Sequence, residues 1–159
     1  MLDDFTKDLK KGRAAEKIVF DTLRSLTTDY EFTDVSKDYT CYKIGDIRAT
    51  DKVTGKDIYI EVKNDSRIAD THKVLCEEEV YYLDRNSYGS GNMDGYGDIY
   101  VVVSEQERKI YIMDLKKLQK NYRKGEYKEI PHAQQTTYCY LCSLEDIAVW
   151  GALIRVLEY

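Results

Sequence analysis

The run Ile58-Tyr59-Ile60-Glu61-Val62-Lys63 alternates strictly, and that alternation limits the folds open to the chain. Successive side chains on a strand point to opposite faces. Ile58, Ile60 and Val62 therefore share a face that demands a core, while Tyr59, Glu61 and Lys63 share the other. Residues 44–51 are also strand-like, as are 56–64. The "KVTG" between them ends in a glycine able to take a positive φ, so the pair reads as a β-hairpin. Asp46 then falls on the partner strand. If Thr54 and Gly55 are the whole loop, Asp46 lies opposite Lys63; if the loop runs from Lys52 to Gly55, it lies opposite Glu61. Either even-numbered loop keeps the three side chains on one face, within a cross-strand reach of about 5 Å or a little more on the diagonal. An odd-numbered loop without a bulge would separate them.

Two carboxylates meeting on that face repel unless a cation lies between them. Hard oxygen ligands with positions left for water and phosphate suit Mg²⁺, with Mn²⁺ as a substitute. The main-chain carbonyl of Val62 is a further available ligand. A lysine beside such a metal can position and deprotonate a water, or neutralise charge at phosphorus. The plainer alternative is an ion pair of Lys63 with Asp46 or Glu61 on a solvated sheet face.

Around the hairpin the expected elements are a helix over 4–26, with Ala15, Ile18, Val19, Thr22, Leu23 and Leu26 at helical spacing, and loosely alternating strand from Glu31. A strand in "HKVLCEEEVYYL" and a glycine-rich loop over 84–97 follow. Next come a hairpin over 98–115, a helix capped by Asp114 running to about Lys124 and closed by Gly125, and a strand in "TTYCYLC". "SLEDIAVWGALIRVLEY" reads as a C-terminal helix with Ser143 as its N-cap. This order predicts an α/β domain, a mixed central β-sheet flanked by helices, with residues 1–159 forming one domain. Repeats and linkers are not visible. No apolar run approaches a membrane span, and the polar, charged beginning is unlike a secretory signal. A cytoplasmic protein with four reduced cysteines is therefore expected. The net charge of −5 argues against binding nucleic acid by bulk charge, but carboxylates that hold cations add to that count.

"GD", a hairpin and "IYIEVK" together resemble the PD-(D/E)XK nuclease superfamily, with glycine here where its signature has proline. "KGRAAEKIVFDTL" resembles the first helix of its Holliday-junction-resolvase-like branch, and the region from residue 98 through "YCYLCSLEDI" looks like small phage and bacterial members. The resemblance implies a restriction-endonuclease-like core and a Mg²⁺-dependent deoxyribonuclease, an endonuclease or resolvase-like enzyme leaving 5′-phosphate and 3′-hydroxyl ends. It makes Asp46 and Glu61 metal ligands, Lys63 the catalytic lysine and Glu16 a ligand directly or through water. DNA is the implied partner and a homodimer is expected by analogy. The alternative is the same scaffold without turnover, acting as a nucleic-acid- or protein-binding module.

Other features have ordinary roles open to them beside functional ones. Lys116, Lys117, Lys120, Arg123 and Lys124 could track a phosphate backbone or be the wet face of an amphipathic helix. Lys11, Arg13 and Lys17 could contact phosphates or be solvated helix surface. Glu77 and Glu79, on one face by alternation, could add an acid to the site or protect an edge strand. Cys139 and Cys142 lack the second spaced pair of a structural zinc site and read as core residues. Neither His72 nor His132 has a nucleophile at motif spacing. The loop "GSGNMDGYG" does not match a phosphate-cradling pattern. Fifteen tyrosines supply rings that can stack on bases or pack the sheet.

Overall fold

A computed structural model describes residues 2–159, with side chains from Thr6 onward. Helix α1 spans Leu2–Leu26. The strands are β1 (Tyr30–Asp34), β2 (Ile47–Asp51), β3 (Asp57–Asn64), β4 (Lys73–Tyr82), β5 (Ser87–Ser90), β6 (Ile99–Ser104), β7 (Lys109–Asp114), β8 (Glu126–Pro131), β9 (Gln135–Ser143) and β10 (Leu153–Glu158). Short helices α2 (Ile68–Thr71), α3 (Leu115–Asn121) and α4 (Leu144–Val149) lie between them. The central sheet has the order β1-β2-β3-β6-β7-β10, and a second sheet has the order β5-β4-β9-β8. β3 and β6 run parallel while the other neighbours in the central sheet are antiparallel, so that sheet is mixed.

Each face of the central sheet buries its own core. Ile60 and Val62 of β3, with Val101 and Val103 of β6, pack against Ala15 and Val19 of α1. Tyr100 and Val102 point the other way, toward Val74 and Cys76 of β4, Leu118 of α3 and Ile147 of α4. Burying both faces is what the uninterrupted "YVVV" of β6 requires. The alternation of β3 therefore leaves Glu61 and Lys63 on the face directed toward the second sheet, away from α1.

Four segments depart from the sequence expectations. Strand ends at Asp34 because polar side chains take over the backbone: Asp34 accepts from Ser36 N–H at 3.0 Å and Asp38 from Thr40 N–H at 2.9 Å. A 3₁₀ turn, Tyr39–Cys41, follows. The supposed loop over 84–97 contains β5, held by a cross-strand pair in which the Tyr81 and Tyr88 rings lie 4.8 Å apart. β8 carries no sequence signal, because it is almost wholly exposed and shows no alternation; as an edge strand it also tolerates Pro131.

The C-terminal helix is the fourth. α4 begins as expected, with Ser143 Oγ accepting from Asp146 N–H at 3.0 Å, but stops after Val149. Gly151, at φ 70°, donates to Ala148 O, and Ala152 N–H donates to Ile147 O, which is a Schellman motif. The remaining residues turn back as β10 along β7. Gly151→Ala should cost about 1 kcal/mol through the left-handed conformation alone, as read by urea denaturation. Among the described residues no helix is long and apolar enough to cross a membrane.

Candidate active site

The hairpin loop decides the register. Asp51 N–H donates to Lys56 O at 2.9 Å, the Asp51 carboxylate accepts from the N–H groups of Val53 and Thr54, and Gly55 takes φ 72°. The loop is therefore Lys52 to Gly55, the longer of the two even choices. β2 and β3 pair Thr50 with Asp57 through Ile47 with Ile60, and one step further brings Asp46 level with Glu61.

Asp46 stands just before β2. Its main-chain N–H donates to Ile60 O at 2.8 Å, and its carboxylate reaches back to accept from Val62 N–H at 2.8 Å. This pins a carboxylate against the neighbouring strand where the ladder ends. Because a strand residue sends its N–H and C=O to the same edge, the Val62 carbonyl lies on that edge as well. Burial first, and then the charge of Glu61, push the Asp46 carboxyl up to about 7. Glu16 adds to the push, while Val62 N–H and Lys63 oppose it.

Glu16 comes from α1, beside buried Ala15. Burial also raises its carboxyl above the ordinary range; Asp34 and Glu61 contribute, against a hydrogen bond with Ser36. Lys63 Nζ lies 2.8 Å from Glu61 Oε1, with side-chain exposures of 42% and 25%. Burial works against the Lys63 charge, but Glu61, followed by Asp46 and Glu77, holds the ammonium pKa above its usual value. Three acids thus crowd one ammonium. Among the described residues no three His, Cys, Asp or Glu side chains are already gathered as a metal cage. The oxygens that the register brings to one strand end are the Asp46 and Glu61 carboxylates, with the Val62 main-chain carbonyl on the same strand edge. That donor set fits Mg²⁺, which keeps several waters and takes one or two carboxylates.

Two clefts meet at these residues. One, of about 480 Å³, is lined by Asp46, Glu61, Lys63, Glu77, Asn92 and the 36–45 segment. The other, of about 430 Å³, is lined by Lys11, Gly12, Glu16, Asp46, Val62 and Lys63. Lys11 is thus brought to the acids. Arg13 and Lys17 are exposed and line neither cleft, and Lys17 pairs with Asp21 at 2.6 Å. Lys116, Lys117, Lys120, Arg123 and Lys124 are exposed and also line neither. Arg123 is paired with Glu78, and Lys124 donates to Asn121.

A bulge separates Glu77 from Glu79. The β4–β9 register passes from Glu77 opposite Cys139 to Glu79 opposite Tyr138, leaving Glu78 as the extra residue. Glu77 lines the cleft with Lys63, and Glu79 lines a different one with Tyr88 and Arg123. Cys139 and Cys142 are buried free thiols. Sequence reasoning missed Ser36 and Asn92 at the site. Asn92 Oδ1 accepts from Glu77 N–H at 2.8 Å. The spaced Asp-x-Ser and Asp-x-Thr turns of residues 34–40 were the readable signal for a folded segment there.

No protein-family model matches the chain, and no curated protein matches it. Among solved structures, a bacterial homing endonuclease, I-Ssp6803I, is similar to it: 14% identical, with 80% of this chain and 74% of that chain covered and a TM-score of 0.48.

Proposed function

We propose that the chain is a Mg²⁺-dependent nuclease of the PD-(D/E)XK type, hydrolysing DNA phosphodiester bonds as an endonuclease or resolvase-like enzyme. The observation that carries this reading is the position of Asp46. Its carboxylate is fixed by Val62 N–H, partly buried, and crowded by Glu61 and Glu16. Such a group is comfortable as an anion only beside a cation. A salt bridge built for stability would not gather a surplus of acids.

Asp46, Glu61 and the Val62 carbonyl would hold Mg²⁺, with Glu16 assisting through water. The ion would supply Lewis acidity at the phosphate and a more acidic water. Lys63, held as an ammonium by its acidic neighbours, orients the attacking water and offsets charge as it grows on the phosphate oxygens. Lys11 in the adjoining cleft offers a contact to a flanking phosphate. In-line attack on the scissile phosphate leaves 5′-phosphate and 3′-hydroxyl ends.

The experiment is cleavage of duplex, junction, flapped and single-stranded DNA by the purified protein with Mg²⁺, with Lys63→Ala as control. Metal-dependent cleavage that falls about 100-fold or more in the variant is expected; cleavage at the wild-type rate removes the mechanism. Glu16→Gln should lower the rate about 10–100-fold, as loss of a supporting contact to a metal site does, and raise the Mg²⁺ concentration needed for half-maximal rate.

A second reading, a scaffold that binds without cutting, is favoured by the closed Lys63–Glu61 pair. Calorimetric titration separates the two, because a silent scaffold would show no saturable heat with Mn²⁺.

A further inference from the structure

Tyr39, Tyr42 and Tyr96 are 88%, 77% and 72% exposed, whereas Tyr100, Tyr111 and Tyr122 are buried. Tyr39 and Tyr42 line the same cleft as Asp46, Glu61 and Lys63. Tyr96 adjoins this segment, its N–H donating to Lys43 O at 2.7 Å.

These rings are not carried on a slack loop. The Asp38 carboxylate caps the 3₁₀ turn through Thr40, Cys41 is buried beneath it, and Ile44 N–H returns to Cys41 O at 2.8 Å. Tyr42 N–H donates to Tyr39 O at 3.2 Å, which fixes the backbone between the two tyrosines. Lys43 Nζ ties the segment to Ser90 Oγ at 2.9 Å and to Asp94 at 3.0 Å. The fold thus spends hydrogen bonds on holding a surface segment whose rings it leaves in water.

We propose that Tyr39, Tyr42 and Tyr96 form a stacking platform for the bases of an unpaired strand, whose backbone then runs down the cleft to Asp46, Glu61 and Lys63. The proposal rests on the nuclease reading and narrows its substrate to single-stranded or splayed DNA. Aromatic side chains bind bases by their faces without regard to sequence. In a duplex those faces are covered by neighbouring pairs, so a ring platform beside a hydrolytic centre selects strands whose bases are free. Lys37 lines the cleft near these tyrosines and Lys63 lies deeper in it. The cleft also carries Asp38, Asp46, Glu61 and Glu77, so the backbone's path along it depends on the metal proposed above, and the hold on a strand without metal is that of the rings.

The test uses an oligonucleotide carrying 2-aminopurine, single-stranded or annealed, mixed with the metal-free protein. Wild type should quench the fluorescence of the single strand, because stacking does so. Tyr39→Ala with Tyr42→Ala should abolish the quenching and weaken single-strand binding about tenfold or more, while the double phenylalanine variant keeps both. An alanine variant that is folded by circular dichroism yet binds and quenches like wild type overturns the platform. If wild type cuts DNA with Mg²⁺ but never quenches, the platform fails and the nuclease stands. Quenching without cleavage of any DNA reverses that outcome. Neither quenching nor cleavage overturns both and leaves the exposed rings to a protein partner.

Discussion

Asp46→Asn should make the metal-free protein more stable while abolishing cleavage. The Asp46 carboxyl is pushed up to about 7 in the folded chain against an ordinary 3.8. Between these two values the native state holds a proton that the unfolded chain has released. Native stability therefore falls as pH rises from about 4 to about 7, and the loss is complete above that. The full linkage figure is about 4 kcal/mol. Because the carboxyl keeps some solvent and its neighbours titrate with it, about 1–3 kcal/mol is expected at pH 8. Asparagine is never ionised, and its Oδ1 can still accept from Val62 N–H. Urea denaturation across pH 4–8 should thus show wild type losing stability while the variant stays flatter. Mg²⁺ should reverse the order: a ligand at 100 times its Kd adds about 2.7 kcal/mol to the state that binds it, and only wild type should gain that amount. A variant less stable than wild type at pH 8 without metal would show that Asp46 is a structural anion.

Lys63→Ala should lower cleavage by about 10²–10⁴-fold, the usual range for a group assisting proton transfer or charge neutralisation. The global fold should survive, but loss of the ammonium from a half-buried pair leaves Asp46, Glu61 and Glu77 uncompensated and lowers stability at neutral pH. The two roles open to this lysine predict different pH profiles. A lysine that removes a proton from water must itself be neutral, yet Glu61, Asp46 and Glu77 hold this one charged against the effect of burial. An orienting and charge-neutralising role therefore predicts partial retention in Lys63→Arg, about tenfold or more above the alanine variant. An arginine variant no better than alanine would point to proton removal instead.

The shared placement of Asp46, Glu61 and Lys63 was legible because it lies in the most regular part of the chain. Alternation in β3 fixed the face of Glu61 and Lys63, and the loop offered two registers that both put Asp46 beside them. Choosing between those registers needed the Asp51 turn, whose side-chain bonds to Val53 and Thr54 are tertiary detail. Glu16 was reachable only by resemblance, since nothing in the helical spacing of α1 says which polar residue meets the end of β3. The second sheet was less legible. β8 lacks a buried face, β5 is stabilised by paired tyrosines in place of an aliphatic stripe, and β10 follows a helix whose apolar residues continue past Gly151. Glu77 was separated from Glu79 by a bulge that alternation cannot foresee. The exposure of Tyr39 and Tyr42 could not be read either, because the same residues in a strand would have been packed.

A crystal soaked with Mn²⁺ tests the proposed metal centre most directly. An anomalous peak bonded to the Asp46 and Glu61 carboxylates, with Lys63 displaced from Glu61, is the expected result. Saturating Mn²⁺ with no peak there and the Lys63–Glu61 pair intact would contradict it.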